Sequence, residues 1–262
     1  MRYYVVSDIH GYYKELRRAL DAAGFFSDTE PHKLILCGDL LDRGSEALPL
    51  VDFMLELMKK NMLIYVLGNH EELLIDCLQQ ISRGGIHPIA SGMSHHYSNG
   101  TWDTLLQIAK MSDIEAYNSP DELVRRVMRS PLYKRLLTIC RDYYETDNYI
   151  FVHGWIPCFM KGNGPAGDFK FNKNWRGADM SAWRRARWYN GMRAACLFGV
   201  TEPSKTIVCG HWHASYGHAK IEKRGTEFGP RADFTPFYGK GIIAIDACTA
   251  QSRFVNCIVI ED

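Results

Sequence analysis

Three strand-to-helix units at the start of the chain constrain its fold more than any other feature. Each unit consists of a short apolar run, a polar loop and an amphipathic helix, and the loops carry Asp8, Asp39 and Asn69 about 30 residues apart. That interval is the length of one βαβ repeat. Because such crossovers are right-handed, the three strands should lie parallel in one sheet with their loops at one edge. We therefore predict an α/β fold with a site at the carboxyl ends of its strands.

The loop of the middle unit carries the most polar chemistry. Residues 37–44, Cys-Gly-Asp-Leu-Leu-Asp-Arg-Gly, place Asp39, Asp42 and Arg43 directly after the apolar run Lys33–Cys37. Taken alone, this octet is equally well explained by a turn-capping Asp39 and a surface ion pair between Asp42 and Arg43. The repetition of the same pattern in the two neighbouring units favours a functional interpretation.

Five of the ten histidines lie in loops that follow strand-like runs: His10, His70, His153, His211 and His213. A single histidine in such a loop is more often a hydrogen-bonded structural residue than a ligand. Five at once make coincidence the poorer explanation. Imidazole and carboxylate ligands without thiolates favour manganese, with iron, zinc, nickel or cobalt as alternatives.

The candidate ligands suit two divalent ions that share one carboxylate. We assign the bridging position to Asp39, because its loop is the middle one of the parallel set. The remaining ligands all lie in strand-end loops. The first ion would be bound by Asp8, His10 and His213. The second ion would be bound by Asn69, His153 and His211. The neutral oxygen of Asn69 would limit the negative charge and keep the ions electrophilic.

Composition narrows the class of protein and its partners. The 262 residues are 46% hydrophobic and 23% charged, which is typical of a globular protein with one large domain. A formal net charge of +1 argues against bulk nucleic-acid binding and against an anionic membrane surface. We expect a cytoplasmic protein, since neither a leader pattern nor about 20 consecutive apolar residues occur. The eight scattered cysteines should be reduced.

The strand-helix rhythm breaks between residues 83 and 141, which we interpret as a helical insertion within a single domain, 1–262. After a loop-like stretch up to Gly100, helices are predicted at Trp102–Lys110, Asp121–Arg129 and Leu132–Ile139. The insertion either caps the sheet edge and shapes substrate access or only packs against the domain.

The last third of the chain predicts further strands and one long helix. Strand signals resume at Asp142–Glu145, Tyr149–Val152 and Thr206–Cys209. A single helix is predicted at Met180–Leu197. The apolar runs Gly241–Asp246 and Phe254–Ile260 predict a closing hairpin.

Together these motifs resemble those of a known superfamily. The segments, in chain order, are Ser7-Asp-Ile-His-Gly11, Gly38-Asp-Leu-Leu-Asp-Arg-Gly44, Gly68-Asn-His-Glu71, Val152-His-Gly154 and Gly210-His-Trp-His213. They are similar to the signature of the calcineurin-like metallophosphoesterases, and within it to the branch of phosphoprotein phosphatases and symmetrical diadenosine tetraphosphatases. The resemblance implies a four-layer α/β/β/α sandwich of two mixed sheets with a dinuclear site between them. It also implies in-line attack by a metal-bridging hydroxide on a phosphate ester.

The resemblance further implies roles for individual residues. His70 would be the general acid that protonates the leaving oxygen, and Asp42 would orient it. Arg43 and Asn69 would contact the phosphate oxygens. Arg185, in Trp183-Arg-Arg185, resembles a further phosphate-contacting arginine, although an exposed basic helix face explains it equally well.

Two positions depart from the pattern of this branch, and the choice of the phosphate-contacting arginine is ambiguous. Arg184 and Arg187 are close enough to Arg185 to be confused with it. Leu67 stands where eukaryotic members usually carry arginine, and Trp155 stands where a second glycine is common and is expected to narrow the site. A bacterial-type phosphatase therefore fits better than a eukaryotic signalling subunit.

Three functional hypotheses follow for the chain. The first is a phosphomonoesterase, specifically a serine/threonine protein phosphatase, and the second is a bis(5'-nucleosyl)-tetraphosphatase or other nucleotide phosphohydrolase. The partner would accordingly be a phosphoprotein or a nucleotide. The third is a non-catalytic metal-binding scaffold, against which Asp42, Arg43 and His70 argue, because a scaffold needs neither an acid nor a phosphate clamp.

Overall fold

Apolar runs form the strands of two mixed sheets. The computed structural model describes residues 1–84, 93–161 and 167–262. Its strands, in chain order, are β1 Arg2–Val6, β2 His32–Cys37, β3 Leu63–Val66, β4 Tyr144–Glu145, β5 Tyr149–Phe151, β6 Phe159–Lys161, β7 Asp168–Lys170, β8 Thr206–Cys209, β9 Phe237–Gly239, β10 Ile242–Ala244 and β11 Ile258–Glu261.

Helices connect and cover these strands. They are α1 Tyr13–Ala22, α2 Ala47–Lys59, α3 Asn69–Ser82, α4 Met93–Asn99, α5 Thr101–Ala109, α6 Asp113–Asn118, α7 Pro120–Arg129, α8 Met180–Ala186 and α9 Thr249–Ser252. Short π-helical turns occur at Leu132–Leu136, Arg193–Leu197 and Gly217–Ile221, and 3-10 turns at Leu137–Ile139 and Trp175–Gly177.

Each sheet combines parallel strands with at least one antiparallel edge strand. The first has the order β11-β1-β2-β3, in which β1, β2 and β3 are parallel, as predicted, and β11 is antiparallel to β1. The second has the order β4-β5-β8-β10-β9, in which β5, β8 and β10 are parallel. A separate pair, β6 and β7, is antiparallel.

The two sheets face each other across an apolar layer. Val5 and Ile35 of the first sheet pack in one buried cluster with Phe151 and Val208 of the second. Because side chains alternate along a strand, the neighbouring residues, such as Leu34, point to the opposite face and pack under the helices. Trp155, Trp183 and further residues form the equivalent core on the outer face of the second sheet. The predicted four-layer α/β/β/α sandwich is thus confirmed.

The helices of the insertion continue the core of the first outer layer. Trp102 of α5 and Leu123 of α7 belong to the same buried cluster as Leu50 of α2 and Leu74 of α3. The predicted helices of this region are present, the last as a π turn followed by a 3-10 turn. The prediction of a loop up to Gly100 is wrong for Met93–Asn99, which form helix α4. Its earlier part, residues 85–92, lies outside the described residues.

The single helix predicted at Met180–Leu197 is wrong. Helix α8 ends at Ala186, and the chain turns before the π turn at Arg193–Leu197. Gly191 makes this turn possible, because a Cβ atom there would lie 2.5 Å from the ring of Trp155. The amphipathic pattern continues across the turn and hides the break.

The closing hairpin is also wrong. Strand β10 pairs with β8 and β9 in the second sheet, whereas β11 pairs with β1 in the first. Helix α9 lies between them in sequence, so the chain crosses from one sheet to the other. Each of the eight cysteines is free. None of the helices found in the described ranges is long and apolar enough to cross a membrane.

Candidate active site

The loops that follow parallel strands of both sheets meet at one edge of the sandwich. Hydrogen bonds between these loops join the two sheets there. The backbone N–H of His211, after β8, donates to Asp8 Oδ2, after β1, at 2.9 Å. His153 Nδ1, after β5, donates to the Cys37 carbonyl at the end of β2, at 2.8 Å. Residues distant in sequence are therefore held in one polar cluster.

The backbone of these loops is constrained. Six of the eleven non-glycine residues with positive φ in the described ranges are predicted site residues: Asp8, His10, Asp39, Asp42, Arg43 and His211. Such a conformation is uncommon outside glycine and is maintained only where the surroundings require it. Gly11 and Gly44 make the close approach possible, because a Cβ on Gly44 would lie 2.5 Å from the Gly11 carbonyl.

Potential ligand atoms converge in two groups, and within each group all of them lie within 4.8 Å of one another. One group contains His10, Asp39 and His70, and the other contains Asp39, His153 and His211. Among the residues with described side chains, Asp39 alone belongs to both groups. This is the arrangement that a bridging ligand requires.

Asp8 and Asn69 complete the two groups. Asp8 Oδ1 lies 3.9 Å from His10 Nε2, and Asp39 Oδ2 lies 3.7 Å from the same nitrogen. On the other side, Asn69 Oδ1 lies 2.7 Å from His153 Nε2, and Asp39 Oδ1 lies 3.4 Å from it. Six of the seven predicted metal ligands thus form one cluster, in which Asp39 is the central carboxylate.

Burial and mutual charge shift the pKa values in this cluster. Burial raises the pKa of Asp8 to about 6. Burial also opposes ionisation of Asp39, but His153 and His70 hold its pKa well below the usual value. The pKa of His153 rises to about 10 despite burial, because Asp39 lies beside it. Burial and then the neighbouring His153 lower the pKa of His211 to about 3, so its imidazole is neutral.

His70 is oriented by a chain of hydrogen bonds. Its Nδ1 lies 2.7 Å from Asp42 Oδ2, and that carboxylate also accepts from the hydroxyls of Thr101 and Thr104 at 2.8 and 2.7 Å. Both carboxylate oxygens are thereby bonded. The other ring nitrogen, Nε2, faces the cluster and lies 3.9 Å from Asp39 Oδ2.

Arg43 lies at the exposed side of the cluster. Its guanidinium nitrogens lie 2.9 Å from His10 Nε2 and 3.2 Å from His70 Nε2. The contact with His10 uses the nitrogen that would ligate a cation, so that hydrogen bond and ligation exclude each other. Arg43 is therefore free to turn towards an anion once His10 binds an ion.

Two predicted residues lie apart from the cluster. His213 Nε2 lies 3.3 Å from Glu227 Oε1, and its ring packs against Phe228 with centroids 4.7 Å apart. His213 belongs to neither group of converging ligand atoms found in the described ranges. Arg185 is exposed and donates to Ser181 of its own helix at 2.8 Å. A metal role for His213 and a phosphate role for Arg185 stay predictions.

The two arginines near Arg185 have other partners. Arg187 is buried and pairs with Glu72 at 2.6 Å and with Asp142. Arg184 is exposed and lies 3.2 Å from Glu72. Arg187 thus joins helix α8 to the first turn of α3. This ion-pair network explains Arg187 without a phosphate.

Sequence reasoning assigned no role to Glu71, which braces the polar cluster. Its buried carboxylate accepts from the backbone N–H groups of Asp39, Leu40 and Gly68 and from the Tyr65 hydroxyl, all between 2.8 and 3.0 Å. The available signal was its position three residues after Gly68, where a glutamate closes a capping box.

Three more polar residues of the site were not predicted from sequence. Thr101 and Thr104, which support Asp42, give no local signal. Asp246 follows β10 in the second sheet, and burial raises its pKa to about 7, with Asp8 as the next cause. It therefore adds a carboxylate next to the cluster. Trp155 does not narrow the site as expected, since its ring is buried in the outer core and Nε1 donates to the Val200 carbonyl.

With this geometry established, comparison with known proteins identifies the family. The family described as calcineurin-like phosphoesterase matches residues 1–215. The chain belongs to the calcineurin-like phosphoesterases. The matched range contains every predicted ligand from Asp8 to His213.

Curated relatives match part of the chain. The symmetrical bis(5'-nucleosyl)-tetraphosphatase of Erwinia tasmaniensis is 33% identical over 132 residues, 50% of this chain and 39% of that protein. The asymmetrical bis(5'-nucleosyl)-tetraphosphatase of Oceanobacillus iheyensis is 23% identical over 168 residues, 62% of this chain and 59% of that protein. The aligned part thus spans less than two thirds of either relative.

Solved structures include similar chains. A cold-active protein-tyrosine phosphatase of a psychrophilic Shewanella species matches 100% of this chain and 75% of its own, with a TM-score of 0.48 and 15% identity.

The donor set of this calcineurin-like phosphoesterase fits divalent cations. His10 Nδ1 faces the Leu41 carbonyl at 3.1 Å, and a carbonyl can only accept, so Nε2 is left as the ligating atom. The Cys37 carbonyl orients His153 in the same way. Burial and then Arg43 lower the pKa of His10 well below its usual value, which keeps the imidazole neutral, as a ligand must be.

Proposed function

We propose that this phosphoesterase hydrolyses dinucleoside polyphosphates with two divalent ions, manganese being the first to test. The observation that carries the catalytic part is the Asp42-His70 pair beside Asp39, with the Arg43 guanidinium on the solvent side. The polyphosphate part is supported by two curated relatives named as tetraphosphatases, which the chain matches in part.

Side chains of both sheets would hold the two ions. Asp39 would be shared by the two ions. Asp8 and His10 would hold the first ion, and Asn69, His153 and His211 would hold the second. Bound ions would draw electron density from the phosphoryl oxygens and lower the pKa of water, which favours in-line displacement at phosphorus.

His70 and Arg43 would act on the phosphoryl group itself. With Nδ1 bonded to Asp42, His70 presents Nε2 and can give its proton to the leaving oxygen. Burial lowers the pKa of His70, but Asp39 and Asp42 outweigh it and raise the pKa above its usual value, which favours the protonated ring that an acid needs. Arg43 offers two nitrogens in the planar arrangement that matches phosphate oxygens.

The insertion would take part in forming the site. Thr101 and Thr104 of α5 bond to Asp42, and a Cβ on Gly100 would lie 2.5 Å from the Arg43 backbone nitrogen. Helix α5 is therefore packed directly against the loop that carries Asp42, which orients the acid, and the Arg43 clamp. We infer that residues 83–141 shape substrate access.

A substrate panel tests the proposal. The manganese-loaded protein is assayed with diadenosine tetraphosphate, para-nitrophenyl phosphate and a phosphoserine peptide, and kcat/KM is compared. We expect the tetraphosphate to give the highest value and chelation to abolish all three activities. A preference for the peptide would refute the proposed substrate but not the phosphoesterase chemistry, whereas inactivity on all three substrates with every divalent ion would refute both.

A further inference from the structure

An exposed tryptophan lies beside the candidate active site. Trp188 leaves 43% of its surface exposed, and its ring centroid lies 5.7 Å from that of His211 at an angle of 84°. On the side of the insertion, the ring of His95 in α4 lies 6.4 Å away. A large aromatic side chain open to solvent next to a predicted metal ligand presents a flat apolar surface to an incoming substrate.

The backbone that carries Trp188 is firmly held. The preceding residue, Arg187, is buried and pairs with Glu72 at 2.6 Å and with Asp142. Glu72 lies in the first turn of α3, two residues after His70. The backbone of Trp188 is therefore positioned relative to the acid by a partly buried ion pair, which limits the entropy lost when the indole binds a ligand.

The surrounding charges suit a substrate with both a phosphate and a flat ring. Arg43 is exposed, and its guanidinium nitrogens lie 2.9 Å from His10 Nε2 and 3.2 Å from His70 Nε2. A guanidinium can hold phosphate oxygens while an indole stacks on a base. A phosphoserine substrate offers no ring for the indole.

We propose that Trp188 is the stacking platform for a nucleobase of the substrate. This inference rests on the proposed function and deepens it by assigning the residue that recognises the base. His95 closes the platform on the side of the insertion. Stacking would bind the base without base-specific hydrogen bonds, because every base has a π face.

A binding comparison tests the platform without turnover. Calorimetry on manganese-loaded His70→Asn protein measures the affinity for AMP and for ribose 5-phosphate, which differ only in the base. We expect AMP to bind roughly 5- to 100-fold more tightly, the usual effect of stacking one base. Adding Trp188→Ala should abolish this preference and leave the Kd of ribose 5-phosphate unchanged, while Trp188→Phe should retain most of it.

Tyr238→Ala is the matched control. Tyr238 is 62% exposed on the edge strand β9, so its removal should change neither affinity. Equal affinities of AMP and ribose 5-phosphate before Trp188 is changed would overturn the proposal, as would an equal loss for both ligands in a folded Trp188→Ala protein. A retained AMP preference combined with no hydrolysis of diadenosine tetraphosphate by the protein with His70 intact would instead refute the proposed function alone.

Discussion

His70 Nδ1 and Asp42 Oδ2 are 2.7 Å apart, and this contact determines how the site can handle a proton. Asp42 also accepts from two threonine hydroxyls, so neither of its oxygens can move to another partner without loss. The imidazole is thereby fixed with Nε2 towards Asp39 and the Arg43 guanidinium. One loop and the insertion together orient the acid.

The first prediction concerns this acid. We expect His70→Asn to lower kcat by roughly 10²- to 10⁴-fold, the usual contribution of general acid-base catalysis. Metal content, measured by inductively coupled plasma mass spectrometry, should stay near that of the parent protein. His32→Asn is the control, because His32 lies at the start of β2 and should be dispensable for turnover. Undiminished kcat would exclude His70 from the mechanism.

A second prediction tests the support given by the insertion. Thr104→Val removes a hydroxyl that donates to Asp42 Oδ1 at 2.7 Å and accepts from the Asp42 backbone at 3.0 Å. We expect kcat to fall roughly 10-fold, by analogy with the loss of supporting groups around a functional side chain. The pH profile of kcat should also shift, which a purely structural role would not cause. Thr138→Val, at an exposed position of the insertion, should change neither quantity.

The convergence of the first three loops could be predicted from sequence. An interval of about 30 residues leaves room for one crossover helix, and its fixed hand places Asp8, Asp39 and Asn69 at the same sheet edge. Hydrophobic periodicity could not predict what the insertion does there. The contact between Thr104 and Asp42 joins residues 62 positions apart, and no local pattern encodes it.

The wrong hairpin has a similar cause. Turn residues between β10 and β11 indicate that the chain changes direction, but they do not specify which sheet receives the next strand. The free edge of β1 accepts β11, with Tyr3 opposite Ile260. Pairing of strands at the two ends of a chain depends on the assembled sheets, which local sequence does not describe.

A third prediction concerns Glu71, which sequence reasoning passed over. Its Oε1 accepts from Leu40 and Tyr65 and its Oε2 from Asp39 and Gly68, so either orientation of a glutamine would set an amide NH₂ against donors. We expect Glu71→Gln to lower the free energy of unfolding by roughly 2–4 kcal/mol. Urea denaturation measures this, with exposed Glu56→Gln of α2 as control. Equal midpoints for both variants would contradict the bracing role.

A fourth prediction concerns acid stability. Hydrogen bonds from Arg2 and then from Tyr4 lower the pKa of Asp28 to about 2 in the folded protein. A depressed carboxyl pKa stabilises the fold above the unfolded value near 3.8, and this contribution is lost as pH falls towards 2. Asp28→Asn should therefore reduce stability at pH 7 and make little difference at pH 2. A pH-independent difference in urea midpoint would refute this.

The last prediction tests the shared carboxylate. Asp39 is the member common to both groups of ligand atoms, and its pKa is held well below the usual value by His153 and His70 against the effect of burial, so it is ionised. We expect Asp39→Asn to lose both ions and nearly all activity, because the amide carries no charge to bridge two cations. Asp8→Asn should weaken mainly one ion, and Asp52→Asn, exposed on α2, should retain two. A folded Asp39→Asn protein that still holds two ions per chain would refute the bridging assignment.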